Sequence, residues 1–155
     1  AEGRLVLADA LSYACRQGLK RLVDVATLTG AMVTTLGKAC TGVMGNNQQL
    51  IDQITASGRD TGERYWQLPM LEEYKELIKS DVADMKNTGG RQAGSISAAF
   101  LLSEFVGGTP WVHLDIAGTF TADKTNGYLI KGATGTPART LARLASRLAE
   151  EGAPA

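Results

Sequence analysis

Apolar residues recur along this chain with two periods that take turns, and the alternation predicts helices and strands in succession. Leu7, Leu11 and Ala14 stand at i, i+4 and i+7 in the run from Arg4 to Gln17, the spacing of one helix face, and Gly18 supplies the stop. "KRLVDVATLTG" then gathers its apolar residues into a short run ending in small ones, as a buried strand does. "AMVTTLG" predicts a short helix, and "ACTGVMGNN" a second strand closed by a turn. Residues 47 to 58 predict a helix, "RDTGERYWQLPM" a loop, and the stretch from about Leu71 to Lys79 another helix. "SDVADMKNTGGRQAG" is polar, glycine-rich and long enough to be a functional loop.

The second half repeats the theme. "SISAAFLLSEFV" is apolar on nearly every face, which predicts a helix buried all round. Val112, Leu114 and Ile116 alternate in "TPWVHLDIAG", a strand pattern. In the last segment Thr136 is suited to cap a helix and Pro137 to open it, with Leu141, Leu144, Ala145 and Leu148 as one apolar stripe. Arg139, Arg143 and Arg147 form a basic stripe, read as a solvated face. Strands separated by helices predict a layered α/β domain. A chain of 155 residues with 44% apolar content suffices for one such domain with a real core.

Charge narrows the function classes. Sixteen Lys and Arg balance sixteen Asp and Glu, so the broad basic footprint of a nucleic-acid or anionic-membrane binder is missing. With no apolar run of spanning length and no signal-peptide layout, the expectation is a soluble, cytoplasmic protein that binds neither membrane nor nucleic acid. Cys15 and Cys40 are too few for a disulfide framework and read as buried, reduced thiols. His113 is the only histidine, so a zinc site built on two or three imidazoles is excluded. Its place on a strand reads as that of a hydrogen-bonded structural residue, with a catalytic role as the alternative.

Candidate chemistry gathers at two strand ends that resemble each other, "DVATLTG" and "DIAGTFT". Ligands in open α/β sheets bind outside the carboxyl ends of strands, and small residues there let a substrate approach the backbone. Tight strand-to-helix turns would leave the same pattern. Phosphate-loop motifs do not fit: "GAMVTTLGKA" has the wrong glycine spacing, and no G-x-G-x-x-G occurs. "GATGTP" offers backbone donors to an anion at a helix N-terminus, or else is a plain loop entering a capped helix.

Taken together and in order, "AEGRLVLADAL", "DVATLTGA", "SDVADMKN" and "WVHLDIAGT" closely resemble the leucyl (cytosol) aminopeptidase family, and the likeness runs on through "GATGTPARTL". Of the family's eight-residue signature Asn-Thr-Asp-Ala-Glu-Gly-Arg-Leu, this sequence holds the last five residues, Ala1 to Leu5. The resemblance implies an α/β fold, a three-layer α/β/α arrangement with a mostly parallel mixed sheet. Residues 1–155 would be the C-terminal portion of the catalytic domain. It implies a two-metal aminopeptidase that removes leucine-like residues from the N-termini of peptides, with Mn or Zn as the divalent pair. Glu2 would bridge the ions, and Arg4 would be catalytic, holding a bicarbonate or water near the scissile bond. Leu28 would offer its carbonyl and Gly30 its N–H to the substrate main chain. Thr27, Thr88, Ala117 and Phe120 would line the pocket for the N-terminal side chain, and Asp84 and Asn87 would fix a loop. Hexamers are implied as well.

The physics of that assignment is coherent. A bridging carboxylate can hold two cations a few ångströms apart over a shared water, and an Arg can fork onto a planar bicarbonate. The family's remaining metal ligands, however, belong to a segment ahead of Ala1, so the expectation is a piece of a longer enzyme that is inactive alone. Two rival readings stay open: a non-catalytic module holding a small anion on "GATGTP" and the strand ends, and an assembly piece whose apolar surface drives association.

Overall fold

The computed structural model describes residues 1–152. Helix α1 (Glu2–Arg16) buries Ala8 and Leu11 and stops at Gly18, whose φ of 74° is the left-handed conformation that glycine accepts readily. Strand β1 (Leu22–Ala26) and helix α2 (Gly30–Leu36) follow, then β2 (Thr41–Gly45) and α3 (Gln48–Thr61). Asn47 caps α3 by accepting from the Leu50 N–H at 2.9 Å, and Gly62, with φ 75°, ends it. β3 (Tyr65–Gln67) leads to a 3-10 helix (Glu72–Ile78). Then come α4 (Gly94–Ser103), β4 (Trp111–Asp115), a two-stranded hairpin of β5 (Thr121–Ala122) and β6 (Gly132–Ala133), and α5 (Ala138–Gly152).

The main sheet has the order β1-β4-β2-β3. β1 runs parallel to β4 and β2 parallel to β3, with one antiparallel seam between β4 and β2. Alternation along the strands divides the core in two. Met44 and Trp111 face α1, α4 and the 3-10 helix; Val43, Val112 and Leu114 face α3 and α5. The result is the expected three-layer α/β/α arrangement around a mixed sheet. β4 is covered on both faces, so all five of its residues are buried. Helix α4 matches its apolar sequence, with Ser95 through Leu102 buried without a break.

Several local expectations change. The loop expected at "RDTGERYWQLPM" contains β3, an edge strand of three residues, too short to show a period. The helix near Leu71 to Lys79 is a 3-10 helix that buries only Ile78, too little apolar surface to hold a longer α-helical face. In α5, Leu144 is buried and Leu141 and Leu148 half-buried, whereas Ala145 lies beyond the stripe and is exposed. The α5 arginines are not simply solvated: Arg143 and Arg147 both reach Asp60 of α3, at 3.0 and 2.7 Å. Cys15 and Cys40 are free thiols, half-buried rather than buried. No helix among the described residues is long and apolar enough to cross a membrane.

Thr136 does not cap α5. That place is taken by Glu63, which follows α3 in the chain. Its Oε2 accepts from the Thr140 N–H at 2.9 Å and the Thr140 hydroxyl at 2.6 Å, while Thr136 donates to Oε1 at 3.4 Å. The helix itself begins at Ala138, one residue beyond Pro137.

Candidate active site at the ends of β1 and β4

Because β1 and β4 are parallel and in register, from Leu22 opposite Trp111 to Ala26 opposite Asp115, their carboxyl ends lie side by side. The two look-alike segments of the sequence thus leave the sheet together, one into α2 and the other toward the hairpin. Asp115 ties them. It is fully buried, and its Oδ1 accepts from the backbone N–H of Leu28 and of Ala117, each at 3.2 Å. Its Oδ2 accepts from the Thr29 hydroxyl at 2.6 Å. A carboxylate tolerates such burial only when its oxygens are hydrogen-bonded, as they are here. Thr29 also caps α2 by accepting from the Met32 N–H at 3.2 Å, and its Oγ1 lies 2.6 Å from Ser95 Oγ in the first turn of α4.

In front of this turn opens a cleft of about 600 Å³, lined by Arg4, Leu28, Gly30, Leu68, Arg91 and Ile96 among others. Arg4 reaches it from α1. Only 9% of the residue is exposed, and its Nη1 donates to the Asn87 carbonyl at 2.7 Å. Asn87 in turn donates to the Ala1 carbonyl at 3.2 Å, so the start of α1 is fastened to the polar loop read in the sequence. Burial pulls the Arg4 pKa below its usual value and the Asp115 charge offsets part of that; the guanidinium stays cationic at neutral pH.

Glu2, two residues earlier, points outward with its side chain 96% exposed. A backbone hydrogen bond holds its carboxyl below the usual range. A divalent ion needs several donors converging on one point. Among the described residues no three His, Cys, Asp or Glu side chains do so. By themselves these residues do not fit a resident metal ion; Glu2 is one donor.

Of the residues singled out in the sequence, Arg4, Leu28 and Gly30 meet in one cleft. Thr27 and Ala117 follow β1 and β4 on the same rim of the sheet, Thr27 exposed and Ala117 half-buried against the core. Thr88 is exposed in the polar loop, and Phe120 is 44% exposed beyond the end of β4. None of these four lines the cleft. Asp84 is exposed in the same loop as Thr88. His113 is fully buried with its Nδ1 2.6 Å from Asp24 Oδ1, and the Trp111 indole donates to Asp24 Oδ2 at 2.6 Å, a structural cluster.

Asp115, Thr29 and Ser95 were not singled out in the sequence. The available signal was an Asp closing an otherwise apolar strand, where a buried charge has to be answered by donors. The rival anion reading of "GATGTP" weakens, since the N-terminus of α5 already holds the chain's own carboxylate at Glu63.

Comparison with known proteins decides the family. The family model for the catalytic domain of the cytosol aminopeptidase family matches residues 1–142. The chain belongs to the cytosol aminopeptidase family. A probable cytosol aminopeptidase of Solibacter usitatus is 57% identical over 145 residues, covering 94% of this chain and 30% of the relative. One from Alkaliphilus metalliredigens is 51% identical over 148 residues, 96% of this chain and 30% of the relative. A solved mutant of tomato leucine aminopeptidase superposes with a TM-score of 0.89 at 43% identity, covering 95% of this chain and 28% of that one. The chain thus spans about 30% of the length of the curated relatives it matches.

Proposed function

We propose that this chain forms the substrate-holding wall of a metal-dependent aminopeptidase that releases leucine-like residues from the N-termini of peptides. The cleft at the ends of β1 and β4 carries the reading. It sets a buried guanidinium beside a pinned backbone turn, in a chain of the cytosol aminopeptidase family.

Each residue has a part in the proposal. The Leu28 carbonyl accepts from the substrate main chain. Gly30 opens α2, so the helix leaves its N–H free to donate to the substrate main chain. Thr27, Thr88, Ala117 and Phe120 shape the rim for the N-terminal side chain. Arg4 is the catalytic residue of this chain: its fork can hold a bicarbonate or an anionic oxygen near the reacting bond, and its depth in the cleft keeps water from screening that charge. Two divalent ions, Mn or Zn, would polarise the scissile carbonyl when bound, with Glu2 as this chain's contribution to them. The other ligands must come from residues outside those described, in keeping with relatives of which this chain matches only 30%. A cytoplasmic location and a homo-oligomer, a hexamer, belong to the same proposal.

The test compares leucinamide hydrolysis by this chain, with Mn or Zn, and by a chimera joining it to the preceding part of the Solibacter relative. Turnover by the chimera and none by the chain alone is expected. Equal turnover by the two would overturn the division of ligands, and no turnover by either would overturn the reading.

A further inference from the structure

We infer that Asp115 is a positioning residue, which orients the Leu28–Gly30 turn through a hydrogen-bond chain of fixed direction starting at Ser95. The inference rests on the reading above, because that turn is the proposed holder of the substrate main chain.

The direction follows from counting protons. A carboxylate only accepts, and Asp115 already takes two N–H donors on Oδ1. The single proton of the Thr29 hydroxyl therefore goes to Asp115 Oδ2. Ser95, 2.6 Å from the same Thr29 oxygen, can then only donate to it. With the Met32 N–H as the second donor, both lone pairs of Thr29 Oγ1 are used. Ser95 donates to Thr29, and Thr29 donates to Asp115. No hydroxyl in this buried chain is left to reorient; Thr29 and Ser95 are 5% and 3% exposed.

Geometry makes this a matter of substrate holding as well as of folding. The Leu28 N–H lies on one side of the Leu28 carbonyl and the Thr29 side chain on the other, and both are pinned to one carboxylate. The carbonyl between them keeps one orientation, in a residue that lines the cleft. The same carboxylate ties down Ala117 across the rim, and its charge is felt by Arg4. Asp115 thus connects three of the proposed site residues while touching no substrate itself.

Two sets of variants test this in the aminopeptidase that contains the chain. Asp115→Asn keeps the shape and the Oδ1 contacts. Its amide, however, donates to Thr29, so the hydroxyl chain must run backwards and the charge beside Arg4 is lost. It is expected to lower kcat/KM on leucine peptides about 100-fold in a protein that still melts cooperatively above the assay temperature. Thr29→Val removes the hydroxyl and is expected to raise KM more than it lowers kcat, whereas Thr29→Ser restores near-wild-type kinetics. Losses that only track the unfolded fraction, or wild-type kinetics in folded D115N and T29V, would overturn the inference. Should D115N fail to fold, the Thr29 pair decides: T29V well below T29S supports the inference, and equality overturns it. Wild-type enzyme that cleaves leucine peptides while the variants are indifferent sinks this inference alone. Wild-type enzyme that cleaves none sinks the functional reading with it.

Discussion

Replacing Arg4 by Ala is expected to lower kcat/KM of the active enzyme on leucine substrates by about 100- to 1,000-fold, the loss typical of removing one preorganised donor to developing charge. Arg4 is a buried residue that lines the cleft, and its guanidinium donates to a neutral carbonyl at Asn87. Asp115 acts on it through space, without a direct contact. A buried cation so placed attracts an anion strongly. Arg4→Lys separates charge from shape: it keeps the positive charge and loses the planar fork, so a loss between those of wild type and R4A is expected. Steady-state kinetics of both variants, with and without added bicarbonate, is the measurement. R4A with wild-type kcat/KM would remove Arg4 from the reaction.

The largest effect on stability is expected at Glu63. Glu63→Ala should destabilise the fold by about 2–4 kcal/mol, from unsatisfied buried donors plus the lost helix cap. Thr140 is fully buried and both its N–H and its hydroxyl donate to Glu63 Oε2, so truncation strands the N–H and leaves the hydroxyl only the longer contact to Thr61 at 3.3 Å. The Arg139 ion pair contributes little by comparison, because that side chain is 45% exposed and its contact is 3.4 Å. Urea unfolding of wild type and E63A gives the difference; a change of a few tenths of a kcal/mol would contradict the capping role. The same cluster limits alkaline stability. Burial, with the Glu63 charge adding to it, raises the Tyr65 pKa in the folded state. The unfolded chain therefore loses the phenolic proton first. Stability should be full below about pH 10 and fall as the pH rises beyond it, while Tyr65→Phe removes that decline.

The elements that carry the cleft were legible because each shows its period over enough residues: β1 and β4 as apolar runs, α4 as an unbroken apolar helix, α1 by its stripe and Gly18. Arg4, Leu28 and Gly30 were legible through the family likeness of short motifs; nothing in their periodicity marks them. What could not be read is what depends on partners far along the chain. Asp115 meets Thr29 across 86 residues, and Glu63 meets Thr140 across 77. Thr136 had the right chemistry and spacing for a cap, and lost the place to a carboxylate from the segment that follows α3. β3 and the β5–β6 hairpin have too few residues for any pattern. Thr27, Thr88, Ala117 and Phe120 were likewise read from the motifs alone, and they lie outside the lining of the cleft itself, at its proposed rim.

Whether peptides enter the cleft between Arg4 and the Leu28–Gly30 turn is open to direct measurement by backbone-amide NMR, titrating the chain with a bestatin-like peptide mimic. Shifts concentrated at Arg4, Leu28, Thr29 and Gly30 are expected. Shifts confined to Glu63 and the Gly132–Pro137 segment, or none at all at millimolar ligand, would contradict it.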